Sequence, residues 1–532
     1  MGVKTKAVKA VVPDWAKDAI WYQIFPERFR NGSPANDPTP ETIVEIGTQP
    51  PTNWSICPWG MDWYSRARWE PPASDFYKTV YMRRFGGDLI GVHEKLAYLQ
   101  ELGVNAIHLH PVFAAPSLHK GNGACSHHID PTFGPDRAGD ADMPGRAGET
   151  EEPSTWVWTT ADRCFLGLVR EIHRRGMRVI INGGFNHQSL LELGRTKDDL
   201  SDPVRKYIFD ITRRWMNPHG NGDLSAGVDG WWLDVAFCVP HGFWKKWRAY
   251  VKSINPDAFL TARIVSLATD YLRGDEFDSV MNYMGLFPTV RFFAPSANPA
   301  PAIDFRKDLD ALRRAYPEAV GYVLQNLLDS HDVGRIATIL ENGLAPKPGW
   351  DSYSNLSRTC GNADLNTRRP SRQTYRILRQ MVVFQMTIPG APMIYYGTEV
   401  GLWGANDPDN RQPMLWDDIQ YQPESRTWRG RCPASPRAPN KRLLKFYQRA
   451  IGLRTAHSVL RRGDLRWLEA SSERLLAYAR SDRRSEIIVL LNASDEPLIW
   501  TLESPAVDLW KSRKVRPGKV VIEPRGWRIL SM

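Results

Sequence analysis

The sequence predicts an α/β protein: a (β/α)8 TIM barrel followed by a C-terminal antiparallel β-sandwich domain. Strand-like apolar runs alternate with helix-like segments from residue 20 to about residue 455, which is the pattern of a (β/α)8 barrel. Several of these runs end in polar groups, which is typical of barrels that carry a site. After Ser458 the alternation stops, and short strand-like runs follow.

Eight apolar runs are predicted to form the barrel strands. Between them, helical periodicity predicts helices at Asp88–Leu102, Cys164–Arg175 and Pro203–Trp215. The strands are predicted, in chain order, at Ala19–Phe25, Val104–His110, Met177–Asn182, Val228–Asp234, Ala258–Ala262, Ser279–Tyr283, Val323–Leu328 and Met393–Tyr396.

The last part of the chain has the pattern of a small β domain. Runs such as LLAYARS, EIIVLLN and KVVIEP are separated by turn residues, which is typical of short antiparallel strands. We therefore predict a barrel over residues 1–457 and a β-sandwich over residues 458–532.

Polar residues follow the predicted strands, and the carboxyl ends of barrel strands meet at one rim where active sites are built. We therefore expect these side chains to lie close together. They are His110, Asn182, Asn186, His187, Asp234, Arg263, His331, Asp332 and Glu399.

Three longer segments resemble the α-amylase family of glycoside hydrolases, in its neopullulanase and cyclomaltodextrinase branch. AIWYQIFPERFRNGSP is similar to the first strand of that branch, and GGDLIGVHEKLAYLQELGVNAIHLHPVF to its first helix and second strand. PGAPMIYYGTEVGLWGANDPDNRQPMLWDD is similar to its eighth strand and the following loop. The resemblance implies cleavage or transfer of α-glucosidic bonds with retention. In that reaction a carboxylate attacks the anomeric carbon and a carboxylic acid protonates the leaving oxygen.

The resemblance assigns roles to residues of the predicted rim. It implies that Asp234 is the nucleophile and Asp332 the third carboxylate, and that His187 and His331 contact the sugar. The position of the family's general acid is occupied by Arg263. A guanidinium cannot give up a proton near neutral pH, so the usual acid is missing.

Two further departures lie beside this position. Trp232 stands where the family has an arginine, and Asn182 stands where it has the aspartate that pairs with that arginine. Removing one charge of a buried pair is costly, whereas removing both can be nearly neutral. The sequence therefore indicates a site that has changed as a unit, with Asn182, Trp232 and Arg263 as candidate binding residues.

The loops around the rim differ from the family as well. The family's domain B is much reduced, to residues 188–202, while the loops 135–160 and 341–372 are long. Loops over the catalytic end shape access to a site. We therefore expect a ligand different from that of an ordinary amylase.

The sequence favours a carbohydrate-binding family member of α-glucan metabolism that has no ordinary α-glucosidase activity. Arg263 is expected to form a bidentate pair with Asp234 or Asp332, which would keep the nucleophile occupied. One alternative is an active hydrolase or transglycosylase that uses Asp234 with an activated leaving group or with a substitute acid. Candidates for that acid are Glu149, Glu151 and Glu152. Another alternative is a non-catalytic scaffold or interaction protein.

Composition excludes several other classes. The net charge is +10, but the basic clusters match no nucleic-acid-binding module. No apolar run approaches the ~20 residues that span a bilayer, and the first residues lack a secretory signal, so a cytoplasmic protein is expected. The six cysteines are scattered and the histidines follow no zinc signature. We therefore predict no cofactor and no metal, a carbohydrate or sugar-derived ligand, and no nucleic-acid or membrane partner. The oligomeric state stays open.

Overall fold

The fold is built around an eight-stranded parallel sheet, seen in a computed structural model. The strands are β1 (Trp21–Ile24), β2 (Ala106–Leu109), β3 (Arg178–Gly183), β4 (Gly230–Leu233), β5 (Phe259–Ala262), β6 (Ser279–Val280), β7 (Gln325–Leu327) and β8 (Ala391–Tyr395). All eight predicted strands are confirmed, with shorter bounds at most ends. The structure describes residues 11–43, 49–72, 75–115, 117–118, 120, 125–183, 196–345, 347 and 349–532.

The sheet closes into a barrel. Its strand order is β6-β5-β4-β3-β2-β1-β8-β7, which leaves β6 and β7 as the ends of the ladder. A parallel bridge joins Met281 to Gln325, and the Asn282 amide donates to Gln325 O at 2.9 Å. These contacts just past β6 connect the two ends, so the sheet is the closed barrel that the alternating pattern predicts.

Gly230 allows β4 to approach β5 closely. A Cβ at this position would lie 2.0 Å from the carbonyl oxygen of Phe259, so any other residue would push the two strands apart. The register pairs Leu233 with Ala262. The residues that follow these two strands therefore emerge side by side.

Helices cover the barrel. The expectations for one predicted helix and for the two long loops need correction. The segment predicted as one helix from Asp88 is two helices, because the backbone leaves helical geometry at Lys95. The long loops are also partly helical, since helices lie inside 135–160 and 341–372. Within the described residues the α-helices are Phe76–Thr79, Leu89–Glu94, Leu96–Leu102, Arg137–Arg146, Thr160–Arg174, Asp202–Met216, His241–Ile254, Tyr283–Phe293, Ala302–Ala315, Glu318–Gly321, Ile336–Glu341, Trp350–Leu356, Arg372–Thr387, Lys441–Ala456 and Ser458–Arg462.

Among the described residues, none of these helices combines the length and the apolar character needed to cross a bilayer. Two short antiparallel hairpins lie outside the main sheets. One pairs Phe113–Ala114 with Cys125–Ile129, and the other pairs Glu424–Thr427 with Gly430–Ser435.

The C-terminal strands form an antiparallel sandwich, as predicted. The strands are β9 (Asp464–Trp467), β10 (Leu475–Ser481), β11 (Glu486–Asn492), β12 (Leu498–Leu502), β13 (Ala506–Asp508), β14 (Arg513–Val515), β15 (Gly518–Ile522) and β16 (Trp527–Ser531). One sheet has six strands in the order β9-β10-β11-β16-β13-β14, and β12 pairs with β15 in a second sheet. Apolar side chains such as Leu490, Leu502 and Ile522 fill the space between them. The boundary at residues 457 and 458 stays a prediction, and residues 184–195, which include the start of the reduced domain B, lie outside the described part of the chain.

Candidate functional site

Arg263 lies between two carboxylates at the carboxyl ends of the barrel strands. Its Nη1 donates a hydrogen bond to Asp234 Oδ1 at 2.8 Å. Its Nε lies 2.8 Å from Asp332 Oδ2, in an ion pair without hydrogen-bond geometry. The predicted pairing is confirmed in its partners, but the arrangement differs. The guanidinium is shared between two carboxylates and is not bidentate to one.

The register of β4 and β5 brings Arg263 and Asp234 together. Asp234 follows the last residue of β4, and Arg263 follows the last residue of β5. The Arg263 amide continues the ladder by donating to Leu233 O at 2.9 Å. The two side chains therefore leave neighbouring strands at the same level.

Asp332 Oδ2 is held by two further groups. Tyr283 donates to it through its hydroxyl at 3.1 Å, and His331 Nε2 lies 3.2 Å away. The ring of Trp350 lies 5.6 Å from the Arg263 guanidinium carbon and packs edge-on against Tyr283. These residues, with Arg263, Asp234 and Asp332, are called the Arg263 site below.

Sequence reasoning missed Tyr283 and Trp350. Tyr283 ends the apolar run predicted as the sixth strand, and it is the first residue of a helix here. Its position directly after a barrel strand was the available signal. Trp350 comes from the long loop 341–372, which supports the expectation that this loop shapes the site.

The charges of the Arg263 site act on one another. Burial raises the pKa of Asp234, and the Arg263 guanidinium opposes that shift while Asp332 adds to it. Burial alone would lower the pKa of Arg263, but the two carboxylates raise it above its usual value. Arg263 therefore stays charged. The side chains of Arg263 and Asp234 are 20% and 24% exposed, so solvent reaches the pair.

Trp232 packs among three histidines. It is fully buried, and its ring lies 5.0 Å from that of His108 and 5.6 Å from that of His331. His110 packs edge-on against His331 at 4.0 Å. Asn182 is the direct register partner of Trp232 and is also buried. The two positions where the resemblance implies opposite charges are therefore adjacent, and both hold uncharged residues. This is the arrangement expected if the two charges were lost together.

Other predicted rim residues have different outcomes. Asn186 and His187 lie outside the described residues, so their assignments stay predictions. Glu399 Oε1 accepts hydrogen bonds from Tyr22 at 2.7 Å and from Tyr98 at 2.6 Å. Tyr98 belongs to the helix Leu96–Leu102, so Glu399 is held against that helix, and its placement with Asp234 was wrong.

Of the loop glutamates considered as substitute acids, Glu149 is held by other groups, and for Glu151 and Glu152 the role stays a prediction. Glu149 Oε1 accepts from His127 at 2.8 Å and from His128 at 2.9 Å, and Oε2 accepts from the Val157 amide at 2.9 Å. Burial raises the pKa of Glu149, but these three donors lower it more, so it stays below its usual value. A general acid needs a raised pKa. Glu151 and Glu152 are exposed.

Comparison with known proteins identifies the family. Residues 23–141 match the alpha amylase catalytic domain. Neopullulanase 2 of Thermoactinomyces vulgaris is 33% identical over 93% of this chain and 72% of its own length. The chain belongs to the α-amylase family. A cyclomaltodextrinase of Geobacillus thermopakistaniensis is 31% identical over 91% of this chain and 70% of its own length.

A solved structure supports the same branch of the α-amylase family. A cyclomaltodextrinase structure superposes with a TM-score of 0.67 at 28% identity, and the match covers 98% of this chain and 79% of that one. The resemblance predicted from three segments of the sequence is therefore confirmed.

Proposed function

We propose that this protein binds an α-glucan-type carbohydrate, or a sugar-derived ligand, at the Arg263 site and does not hydrolyse ordinary α-glucosides. The observation that carries the proposal is the position of the Arg263 guanidinium, 2.8 Å from both Asp234 and Asp332. A fixed cation stands where this family's reaction requires a proton donor.

The chemistry of the reaction explains why this cation blocks it. Loss of a positioned acid costs roughly 10²- to 10⁴-fold in rate. The transition state also develops positive charge on the sugar ring, which a neighbouring guanidinium opposes. In addition, Asp234 Oδ1 already accepts a hydrogen bond from Arg263, and this bond weakens the carboxylate as a nucleophile.

Binding is favoured over a scaffold role by the exposure of the site. Arg263 and Asp234 retain about a fifth of their side-chain surface in contact with solvent, while Trp232 is buried in the barrel among histidines. Charged groups, the Tyr283 hydroxyl and the Trp350 ring can hold a polar ring-shaped ligand. An α-glucan is the expected class, because relatives carry the names neopullulanase and cyclomaltodextrinase.

A second candidate is turnover of a substrate whose leaving group needs no proton. The partly exposed guanidinium at the acid position favours it, since guanidinium geometry matches phosphate. Asp234 would attack a sugar 1-phosphate, and Arg263 would stabilise the departing phosphate. Incubation with glucose 1-phosphate or α-glucosyl fluoride tests this candidate. A glycosyl adduct on Asp234, found by mass spectrometry, would favour it over the binding role.

Calorimetry combined with product analysis tests the main proposal. Wild type is titrated with maltotriose, cyclomaltodextrins and pullulan oligosaccharides, and the same samples are analysed for released sugar. We expect binding heat without products, and weaker binding by Arg263→Met. Arg273→Met, which alters an exposed arginine paired with Asp270, serves as the matched control. Heat that is absent for every sugar would favour the scaffold alternative, and released sugar would show a hydrolase.

The cytoplasmic location and the lack of nucleic-acid binding stay predictions, and the assigned roles of Asp234, Asp332, His331, Asn182 and Trp232 are part of the proposal.

A further inference from the structure

Three metal-ligating side chains converge outside the Arg263 site. His127 Nε2 and His128 Nε2 lie 2.8 Å and 2.9 Å from Glu149 Oε1. The ligand atoms of the three residues all lie within 4.8 Å of one another. Their side chains are 12%, 7% and 7% exposed, so the group is nearly closed to solvent.

An irregular strand makes this convergence possible. Successive residues of a regular strand point to opposite faces, so adjacent histidines would normally diverge. Here Phe113 pairs with Ile129 while the next residue, Ala114, pairs with Cys125, so the register shifts between them. The extra residues bulge out of the ladder. Both imidazoles can therefore turn toward the same carboxylate.

Each group is oriented by an outer partner. His128 Nδ1 lies 2.8 Å from Asp162 Oδ2, and His127 Nδ1 lies 2.9 Å from the Tyr207 hydroxyl. The Val157 amide donates to Glu149 Oε2 at 2.9 Å. Histidine ligands in metal sites have their second ring nitrogen fixed by such a partner, which leaves the first nitrogen for the metal. Both Nε2 atoms here face Glu149 Oε1, so a metal ion bound between them would take the place of the protons that they now share with that carboxylate.

We propose that His127 Nε2, His128 Nε2 and the Glu149 carboxylate bind a divalent transition-metal ion of the zinc class. Two imidazoles and one carboxylate form a common three-ligand set for zinc, with water in the fourth position. Cys125 Sγ lies 3.4 Å from His127 Nε2, so a soft donor adjoins the set. Imidazole and sulfur ligands favour zinc over magnesium or calcium.

The geometry fits such an ion after a small movement. Zinc ligands lie at ~2.0–2.2 Å from the ion, which separates neighbouring ligand atoms in a tetrahedron by roughly 3.3–3.6 Å. The present separations of 2.8 Å and 2.9 Å therefore need to open by about half an ångström. Both separations end at Glu149 Oε1, so a shift of this one carboxylate opens both of them.

The ion would fasten the loop 135–160 to the hairpin strand Cys125–Ile129, because Glu149 belongs to the loop and the histidines to the strand. Trp156, from the same loop, stacks on the His127 ring at 4.2 Å with an interplanar angle of 7°. Metal binding at His127 should therefore alter the fluorescence of Trp156. This site is independent of the carbohydrate proposal, and its test reads metal content and not activity.

Metal titration of the full chain tests the proposal. Protein without a histidine tag is stripped with EDTA, titrated with Zn²⁺ by calorimetry, and analysed for retained metal. We expect one Zn²⁺ per chain at this site, with visible bands of four-coordinate Co²⁺ after cobalt substitution. Glu149→Gln and His128→Gln should weaken binding by more than the roughly 10- to 100-fold that loss of an outer partner causes. Tyr207→Phe, which removes such a partner, should weaken it by about 10-fold.

His241→Gln is the matched control, since His241 also contacts a glutamate, Glu276, at 2.9 Å but belongs to no three-ligand group among the described residues. It should bind Zn²⁺ like wild type. Wild type that retains no zinc would overturn the proposal, as would Glu149→Gln and His128→Gln that bind like the control. Trp156→Phe provides a test that does not depend on the folding of ligand variants. This variant should keep the zinc but lose the zinc-induced change in fluorescence. A fluorescence change as large as that of wild type would contradict the location of the zinc beside Trp156.

Discussion

Arg263 Nη1 lies 2.8 Å from Asp234 Oδ1, so the two residues that the resemblance places at the acid and nucleophile positions form an ion pair. In a retaining glycosidase these two positions hold two carboxyl groups with opposite tasks. Here the same geometry neutralises one carboxylate with a fixed cation. This pair is the basis of our proposal that the site binds a carbohydrate and does not hydrolyse ordinary α-glucosides.

Double-mutant analysis should show that this pair is coupled. Arg263→Met leaves Asp234 and Asp332 beside each other without their cation, and Asp234→Asn removes one of its partners. Because the side chains are only partly buried, we expect a coupling free energy of about 1–3 kcal/mol between the two changes. Chemical denaturation of the four proteins of the cycle measures it.

The exposed pair of Arg273 and Asp270 provides the control cycle. Their side chains are 66% and 65% exposed, and exposed pairs typically contribute between zero and about 1 kcal/mol. Equal coupling in the two cycles would show that the Arg263 pair is an ordinary surface contact.

Restoring only one charge beside the site should destabilise the fold. Trp232→Arg places a cation among His108, His110 and His331 without a partner. Leaving a buried charge unpaired costs about 3–5 kcal/mol. The further change Asn182→Asp supplies the missing anion at the register partner and should recover at least about 1 kcal/mol. Equal stability of Trp232→Arg and wild type in urea denaturation would contradict the inference that positions 182 and 232 changed together.

His108 should make the protein sensitive to acid. Burial lowers the pKa of His108 from 6.5 to about 3, so between these pH values the unfolded chain binds a proton that the folded chain does not. The free energy of unfolding should therefore fall as the pH falls through this window, by up to about 1.4 kcal/mol per pH unit from this group.

The variant His108→Gln isolates this contribution, because all other titrating groups are shared with wild type. Its free energy of unfolding should depend less steeply on pH between 6.5 and 4.5. The difference between the two slopes is measured by denaturation at several pH values. Parallel curves would show that His108 is protonated in the folded protein.

Gly230→Ala should disturb the strand that carries Trp232. The new methyl group would lie 2.0 Å from Phe259 O, so β4 and β5 must separate, and we expect a loss of more than about 2 kcal/mol in stability. Gly167→Ala lies inside the helix Thr160–Arg174 with open space around the new Cβ. It should stabilise by roughly 0.5–1 kcal/mol. Similar thermal shifts for both variants would argue against close strand contact.

The sequence predicted the parts of this molecule that follow from periodicity and neighbouring strands. All eight barrel strands were found, since a buried parallel strand is a nearly continuous apolar run. The pairing of Arg263 with Asp234 was predictable because both follow strands that are adjacent in a barrel.

Features that depend on loops and distant contacts were missed. Trp350 reaches the Arg263 site from a loop whose course no periodicity encodes. The cluster of His127, His128 and Glu149 depends on a bulged strand, and regular alternation would have turned one histidine away. Glu399 was misplaced because a position after a strand does not reveal which helix its side chain meets.

Hydrolysis of maltotriose by wild type and by Asp234→Asn, measured as released sugar at equal protein concentration, tests the central claim most directly. If Arg263 stands in place of the acid and its ion pair keeps Asp234 from attacking the sugar, wild type and Asp234→Asn should release sugar at the same background rate. A wild type that hydrolyses maltotriose while Asp234→Asn does not would contradict the account, because Asp234 would then act as a working nucleophile beside Arg263.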